Sequence, residues 1–354
     1  MGFLSGLKHH VHRLFEFWNW ERAGHDSPVR SLNPKMLAMG FFSGKASRYP
    51  FSRFEARWYV TDWELLFRLS RVNGHVVKSI FNNKLFCHLA LRERGFADKI
   101  PKLIGLFSQL GFTSYSKFST VDEVLEFHPT LFMKPMEGSG GNGVFCTNDP
   151  QSVHFPQPYI AEVPIQPHAY GFVIFPRCLN TIRILAMRDV YTNEFFISHA
   201  IHRFGTRKTI PVDNFSKGGL CARIDLESGV LSEAKWYAGK SENDWISIHP
   251  DTKAAIKGVV IPHWDEAKQL ALTASEAFPD LQIAGWDLAI TPRGPILIEG
   301  NVGAPGLDLI QSHSPVLLDR RVCMFMKQHG VISARKAKYL DRRAAKMPPG
   351  DHKA

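Results

Sequence analysis

Long hydrophobic runs are missing from this sequence. None of its 354 residues belongs to an uninterrupted apolar stretch of the roughly 20 residues that crossing a bilayer requires, so no membrane-spanning helix is expected. A cleavable leader is not expected either, because Lys8, His9, His10, His12 and Arg13 interrupt the first apolar residues. The opening MGFLSG carries Gly6 where a myristoylation signal has Ser or Thr. Cysteine is scarce: Cys87, Cys146, Cys178, Cys221 and Cys323 stand singly, odd in number and without metal-ligand spacing. That excludes a disulfide framework and a zinc ribbon, and predicts a reducing compartment in which these are small core residues. No Walker A or dinucleotide fingerprint is present, and there is no internal repeat or low-complexity segment. These absences predict a cytoplasmic globular protein.

Hydrophobic residues make up 44% and charged residues 21% of the chain, whose length suffices for two or three lobes. Forty-three Lys and Arg against 33 Asp and Glu give a net charge of +10, which favours polyanionic partners. Much of the excess comes from the head KHHVHR and the tail RRAAKMPPGDHKA, and no nucleic-acid module accompanies it, so no nucleic-acid partner is expected. Residues 3, 4, 7, 11, 14, 15 and 18 fall on one helical face opposite basic residues. The plainer reading is a helix docked on its own protein; the alternative is contact with a membrane surface or a partner through residues 1–20. Residues 30–83 are aromatic-rich and read as helical without suggesting a function. A helix over 84–97 ends near Gly95, and β-like runs follow at 130–135, 143–147 and 158–163. More strands surround NTIRILAMRD and EFFISHAIHRFG, GLCARIDLE and VLSEAKWYA form a hairpin through Ser228 and Gly229, and residues 263–278 read as an amphipathic helix.

The stretch GWDLAITPRGPILIEGN, residues 285–301, then forms a hairpin. With a three-residue loop of Pro292, Arg293 and Gly294, Asp287 stands opposite Glu299. Alternation puts Asp287, Glu299 and Asn301 on one face and Trp286, Leu288, Ile290, Ile296 and Ile298 on the other; a two-residue loop would turn the aspartate away. Opposed like charges on a sheet call for a compensating cation, and oxygen donors without Cys or His suit Mg2+. The competing reading is a solvated face of harmless acids. Further upstream, FMKPMEGSGGNGVF places Lys134 at the end of an apolar strand before Gly138, Gly140, Gly141 and Gly143. Glycines let backbone N–H groups approach phosphate oxygens and the lysine adds a point charge, which suits a flap over a triphosphate; the alternative is a flexible hairpin with no ligand.

Lys134 with its glycine loop, YIAEVPIQ, NTIRI, DNFSKGGL and GWDLAITPRGPILIEGN, taken in order over residues 80–312, resemble the ATP-grasp superfamily, specifically the sugar-transfer-associated ATP-grasp proteins. The resemblance implies an α+β fold with two lobes clasping ATP, a helical N-terminal region and a helical C-terminal tail. The sequence pattern outside it reads as a helical region with a basic amphipathic helix at 1–83 and a basic helix and tail at 313–354; the resemblance itself places a small lobe with the phosphate loop at 84–165 and a large lobe with the metal site at 166–312. Carried over residue by residue, it implies that Lys84 and Lys134 contact phosphates, although Asn83 stands where Asp commonly precedes the first lysine. Glu137, Gly138, Ser139, Gly140, Gly141, Asn142 and Gly143 would fold over the phosphates, and Glu162, Val163, Pro164 and Ile165 would meet the adenine. Asp287, Glu299 and Asn301 would hold two Mg2+ ions, with Mn2+ as an alternative, and Arg183, Arg203 and Asn214 would lie near the γ-phosphate and an acyl phosphate.

Beside these stand plainer readings. Arg183 alternates with Ile182 and Ile184 and could be solvated, Arg203 could pair with any surface acid, and His168, His199, His202 and His263 lack metal spacing. The resemblance implies an ADP-forming carboxylate–amine ligase acting on amino acids or sugar acids, in polysaccharide or amino-sugar and amino-acid conjugate biosynthesis. The alternatives are a kinase acting on a hydroxyl and a nucleotide-binding scaffold for glycan assembly.

Overall fold

The computed structural model describes residues 2–22, with side chains from Val11 onward, and residues 32–138, 140–237 and 241–345. The chain divides into two compact units, one of Met1–Val72, Ala238–Asp244 and Leu307–Ala354, the other of Asn73–Tyr237 and Trp245–Gly306.

The first unit is helical, with helices Gly2–Arg22, Pro34–Ala38, Lys45–Arg48, Asp62–Phe67, Leu307–Gln311, Arg320–Gln328 and Ala334–Ala344. Its aromatic richness is a packing device: Phe41, Tyr49 and Tyr59 are buried together, with Tyr49 and Tyr59 stacked at 5.1 Å. Distant stretches are tied by buried amide bonds, since the Val60 N–H donates to Gln311 Oε1 at 2.7 Å and Gln311 Nε2 donates to the Val60 carbonyl at 2.9 Å. Lys336 reaches Glu64 at 2.6 Å, and the same glutamate closes a capping box with Thr61 at the start of Asp62–Phe67. Helix Gly2–Arg22 docks through Phe17, which stacks on Phe42 at 4.8 Å. Val11, Leu14, Phe15 and Trp18, on the face expected to turn inward, stay exposed. The side chains of residues 3, 4 and 7 lie outside the described residues. No helix among the described residues is long and apolar enough to cross a membrane.

Among the described residues the second unit holds twelve strands, β1 Leu103–Ser108, β2 Gly111–Ser114, β3 Leu131–Pro135, β4 Phe145–Thr147, β5 Tyr159–Glu162, β6 Ile182–Arg188, β7 Phe195–Phe204, β8 Leu220–Ile224, β9 Leu231–Trp236, β10 Trp245–Ile246, β11 Ile283–Thr291 and β12 Gly294–Asn301. They form a five-stranded sheet, β2-β1-β5-β3-β4, and a seven-stranded sheet, β10-β9-β8-β7-β6-β11-β12. Every pairing among these strands is antiparallel, so the two faces of each sheet can differ in polarity, and β1–β5, β3–β5 and β6–β11 pair without being consecutive in the chain. Helix Trp264–Glu276 buries Trp264, Ala267, Leu270, Ala271 and Ala274 in the core of the larger sheet, the stripe its sequence spacing predicts. At the centre of that core Trp286 is fully buried and donates from Nε1 to Ser275 Oγ at 2.8 Å. The smaller sheet has its own core around Ile104, Leu131 and Met133. Of the five cysteines, Cys87, Cys221 and Cys323 are buried, Cys178 is half-buried and Cys146 is exposed, and all are free thiols. Cys146 therefore departs from the expected core position, because the short edge strand β4 leaves it uncovered.

Candidate active site

The β11–β12 hairpin carries the acids. Asp287 pairs with Glu299, as expected, but by a different route. The loop has two residues, Pro292 and Arg293, because Thr291 pairs with Gly294; a register shift between Asp287 and Leu288 then inserts Ile298 as an extra residue and restores the acid pair. The expectation that a two-residue loop would displace Asp287 fails because the bulge corrects the register. The same shift corrects the core face. Leu297, not Ile296 or Ile298, joins Trp286, Leu288 and Ile290 in the core, while Ile296 and Ile298 line cavities on the other side.

Asp287 is held from the neighbouring strands. Arg183 on β6 pairs directly across from it and donates through Nε to Oδ1 at 2.5 Å and through Nη2 to Oδ2 at 2.9 Å. Arg203 on β7 adds Nη2 to Oδ2 at 3.0 Å. Arg183 is thus buried and paired, and Arg203 is committed to interior acids, so neither is a solvated surface cation. Burial works to raise the pKa of Asp287, but the two guanidiniums hold it down to about 2. Much of the cation demand that opposed acids create is therefore met by arginine. Gly306 makes room for this arrangement: at φ +90° it faces the Arg183 side chain, which a Cβ would strike.

Two participants escaped the sequence reading. Asp213 accepts from the Thr181 N–H at 2.7 Å and the Thr181 hydroxyl at 2.5 Å and lies 3.6 Å from Arg203 Nε; Arg203 Nε in turn donates to Thr181 Oγ1 at 3.0 Å. The signal was available, since Asp213 adjoins Asn214 and Thr181 opens TIRI, but sequence cannot say which acid meets which arginine.

Glu299 is in the opposite condition to Asp287. Burial and then the Asp287 charge push its carboxyl up, against the pull of Lys84, Lys134 and Arg183. Asn301 Nδ2 donates to the Gly285 carbonyl at 3.3 Å and lies 3.5 Å from Asp287 Oδ2, so its amide oxygen is the donor left over. Among the described residues no group of three or more His, Cys, Asp or Glu side chains gathers as a metal site; any hard cation here would use two carboxylates and one amide.

The smaller sheet supplies the lysines. Lys134 on β3 is buried against Glu162 on β5 at 2.5 Å. Lys84 begins helix Lys84–Leu91, whose N-cap Asn83 accepts from the Phe86 N–H at 3.0 Å. Asn caps as well as Asp does, so the Asn in place of Asp keeps the local geometry. Lys84 Nζ donates to the Gly138 carbonyl at 2.7 Å, and burial lowers its pKa while Glu299 opposes that shift. Lys84, Lys134, Glu162, Ile298 and Glu299 line one cavity of about 20 Å³. A cavity of about 1200 Å³ is lined by Val163, Pro164, Ile165 and Ile296, with Lys99, Lys102, Lys117 and Arg293 among its cations; the Val163 N–H already donates to the Lys102 carbonyl at 3.0 Å.

The loop between β3 and β4 has Gly138, Gly140, Gly141 and Gly143 all at positive φ. Asn214 Nδ2 donates to the Gly140 carbonyl at 2.7 Å, and a Cβ on Gly141 would lie 2.8 Å from Val212. Asn214 therefore meets the glycine loop rather than the arginines. Glu137 and Asn142 are exposed, and Ser139 lies outside the described residues.

Residues 150–324, just under half of the chain, match the family described as sugar-transfer associated ATP-grasp. Over that segment the chain is similar to this family, and the two antiparallel sheets with their flanking helices make an α+β fold. No curated protein sequence matches. Among solved structures the chain is similar to N5-carboxyaminoimidazole ribonucleotide synthetase from Thermotoga maritima, at 11% identity over 64% of this chain and 43% of that one, TM-score 0.37. It is similar to L-amino acid ligase from Bacillus licheniformis at 12% identity over 65% and 43%, TM-score 0.38. To D-alanine–D-alanine ligase from Bacillus anthracis the values are 14% identity over 73% and 71%, TM-score 0.40. The chain thus spans 43% of the length of the first two.

Proposed function

We propose that this protein is an ATP-dependent ligase that joins a carboxylate to an amine through an acyl phosphate. The observation that carries the reading is the meeting of Lys84, Lys134, Glu162 and Glu299 around one cavity, with the Arg183–Asp287–Arg203 network reaching the same acid pair. A buried lysine and a half-buried one beside a glutamate whose carboxyl is pushed up are a poor way to stabilise a core and a good way to receive a polyanion.

In this reading Lys84 and Lys134 bind phosphate oxygens as point charges, and the glycine loop adds backbone N–H groups. Glu162 orients Lys134, and its segment through Ile165 receives the adenine. Arg183, buried against Asp287, acts by positioning that carboxylate, while Arg203 is the guanidinium nearer to solvent. The donor set fits a hard divalent cation: Glu299, the Asn301 amide oxygen and the remaining lone pair of Asp287 would hold Mg2+, one ion or two. Bound there, Mg2+ would neutralise charge on the phosphates. The substrate carboxylate oxygen attacks the γ-phosphorus and the bond to ADP breaks. The amine lone pair then attacks the acyl carbon, inorganic phosphate leaves with the acyl–oxygen bonding pair, and the ammonium proton passes to solvent. A glycine flap that excludes water protects the acyl phosphate from hydrolysis.

The family's description connects it with sugar transfer, and we assign the carboxylate to a sugar acid or an amino acid, in polysaccharide or conjugate biosynthesis within the cytoplasm. The test is a phosphate-release screen with Mg-ATP over amino acids and uronic acids, beside Lys134→Ala and Glu299→Ala. Phosphate release that depends on one acid and one amine and is lost in both variants is expected. Release surviving in both variants overturns the site, and ADP formation with a stable phosphoester and no free phosphate would make the protein a kinase.

A further inference from the structure

The two units differ in charge. The first unit contains 22 Lys and Arg against 12 Asp and Glu, whereas the second contains 21 of each, so the entire +10 resides in the first. That unit also carries a helix whose apolar side faces outward. On Gly2–Arg22, Phe17 packs inward against Phe42 and Trp63, and Glu21 accepts from the Ser43 N–H at 3.2 Å. The neighbouring stripe is left open, with Val11 56%, Phe15 60% and Trp18 39% exposed at spacings of four and three residues. Arg22 follows Trp18 one turn later, and His12 is exposed beside Val11. Arg335, Lys338 and Arg342 are exposed on helix Ala334–Ala344 of the same unit.

We propose that helix Gly2–Arg22 docks on an anionic lipid surface. A second copy of the chain would bring two strongly cationic units together, and the like charges oppose that contact. A nucleic acid would satisfy the charge but offers no apolar layer for Val11, Phe15 and Trp18. A bilayer with acidic headgroups offers both: acyl chains take the stripe, phosphates take the cations, and tryptophan prefers the boundary between them. The helix is pinned by Phe17, so it presents the stripe already formed and avoids the ordering cost of folding on contact.

The experiment uses the full chain without nucleotide, so its failure is separable from failure of the ligase reading. Co-sedimentation is measured with vesicles of phosphatidylcholine mixed with phosphatidylglycerol, and of phosphatidylcholine alone. Binding to the mixed vesicles is expected to exceed binding to phosphatidylcholine alone by about tenfold or more and to weaken with salt. The variant carrying Phe15→Ser and Trp18→Ser should bind the mixed vesicles roughly tenfold less, with unchanged circular dichroism and unchanged phosphate release. Absence of binding to the mixed vesicles overturns the proposal, as does equal binding by the variant. A wild-type dimer in sedimentation equilibrium that the variant abolishes would overturn it in favour of self-association.

Discussion

Two hairpins of the second unit meet the same task by opposite means. In β3–β4 the strands are short and the loop between them holds four glycines at positive φ, whereas β11–β12 turns in two residues and continues with a bulge beside its acids. The first spends its length on left-handed glycine backbone held by Lys84 and Asn214; the second fixes Asp287 through Arg183 on β6 and Arg203 on β7. Glycine backbone stands where N–H groups can be presented, and clamped side chains stand where carboxylates lie close despite their repulsion.

The largest way to break this comparison is Arg183→Ala. It leaves the buried Asp287 with Arg203 alone, and a loss of ~3–5 kcal/mol is expected in urea unfolding; a loss below 1 kcal/mol would mean that the hairpin does not need its clamp. Next is Glu299→Gln, expected to lower phosphate release about 100-fold or more, roughly 2.7 kcal/mol. Without Mg2+ its stability should hold or rise. Glu299 titrates above its ordinary value, for burial and the Asp287 charge, so its favourable contribution is present at low pH and is lost as pH rises through the folded value. The glutamine removes that loss.

The third prediction concerns the sheet that carries the arginines. His202 is fully buried, bonded to the Tyr170 hydroxyl at 2.7 Å, and burial drives its pKa from 6.5 to about 3. Below pH 6.5 the unfolded chain takes up a proton that the folded chain refuses, so stability falls on acidification, by up to ~1.4 kcal/mol per pH unit at this site. His202→Phe should flatten the slope between pH 6 and 4, as measured by denaturant midpoints, relative to wild type (about two units in which this one group acts). An unchanged slope would remove His202 as the cause. The smallest effect belongs to the glycine loop. Gly141→Ala puts a Cβ 2.8 Å from Val212 at φ +66° and should cost about 1 kcal/mol, read chiefly as a few-fold rise in the KM for ATP with the global unfolding midpoint little changed. A full collapse of stability would show that loop to be as rigid as the acid hairpin.

Much of the second unit was legible because its patterns are local. Alternation along β11 and β12, the stripe of helix Trp264–Glu276 and the glycine cluster all report on neighbours within a few residues. The hairpin loop was misjudged because a bulge is an accommodation between strands: nothing in PILIEGN marks Ile298 as the extra residue. Thr181 and Asp213 were overlooked for a related reason, since their partnership with Arg203 depends on which strands become adjacent. The first unit yielded least. Its aromatic residues carry no period, and its tie through Gln311 joins segments about 250 residues apart.

By itself the amino-acid order determined which side chains could share a strand face or a helix stripe, and hence that Asp287 and Glu299 belong together. Only the tertiary structure decided that two arginines would satisfy one of those acids while burial and its neighbour's charge push the other carboxyl up, and that the N-terminal helix would leave Val11, Phe15 and Trp18 exposed. Such choices depend on burial and on distances between strands remote in sequence, which set the cost of each charge and which no local pattern encodes.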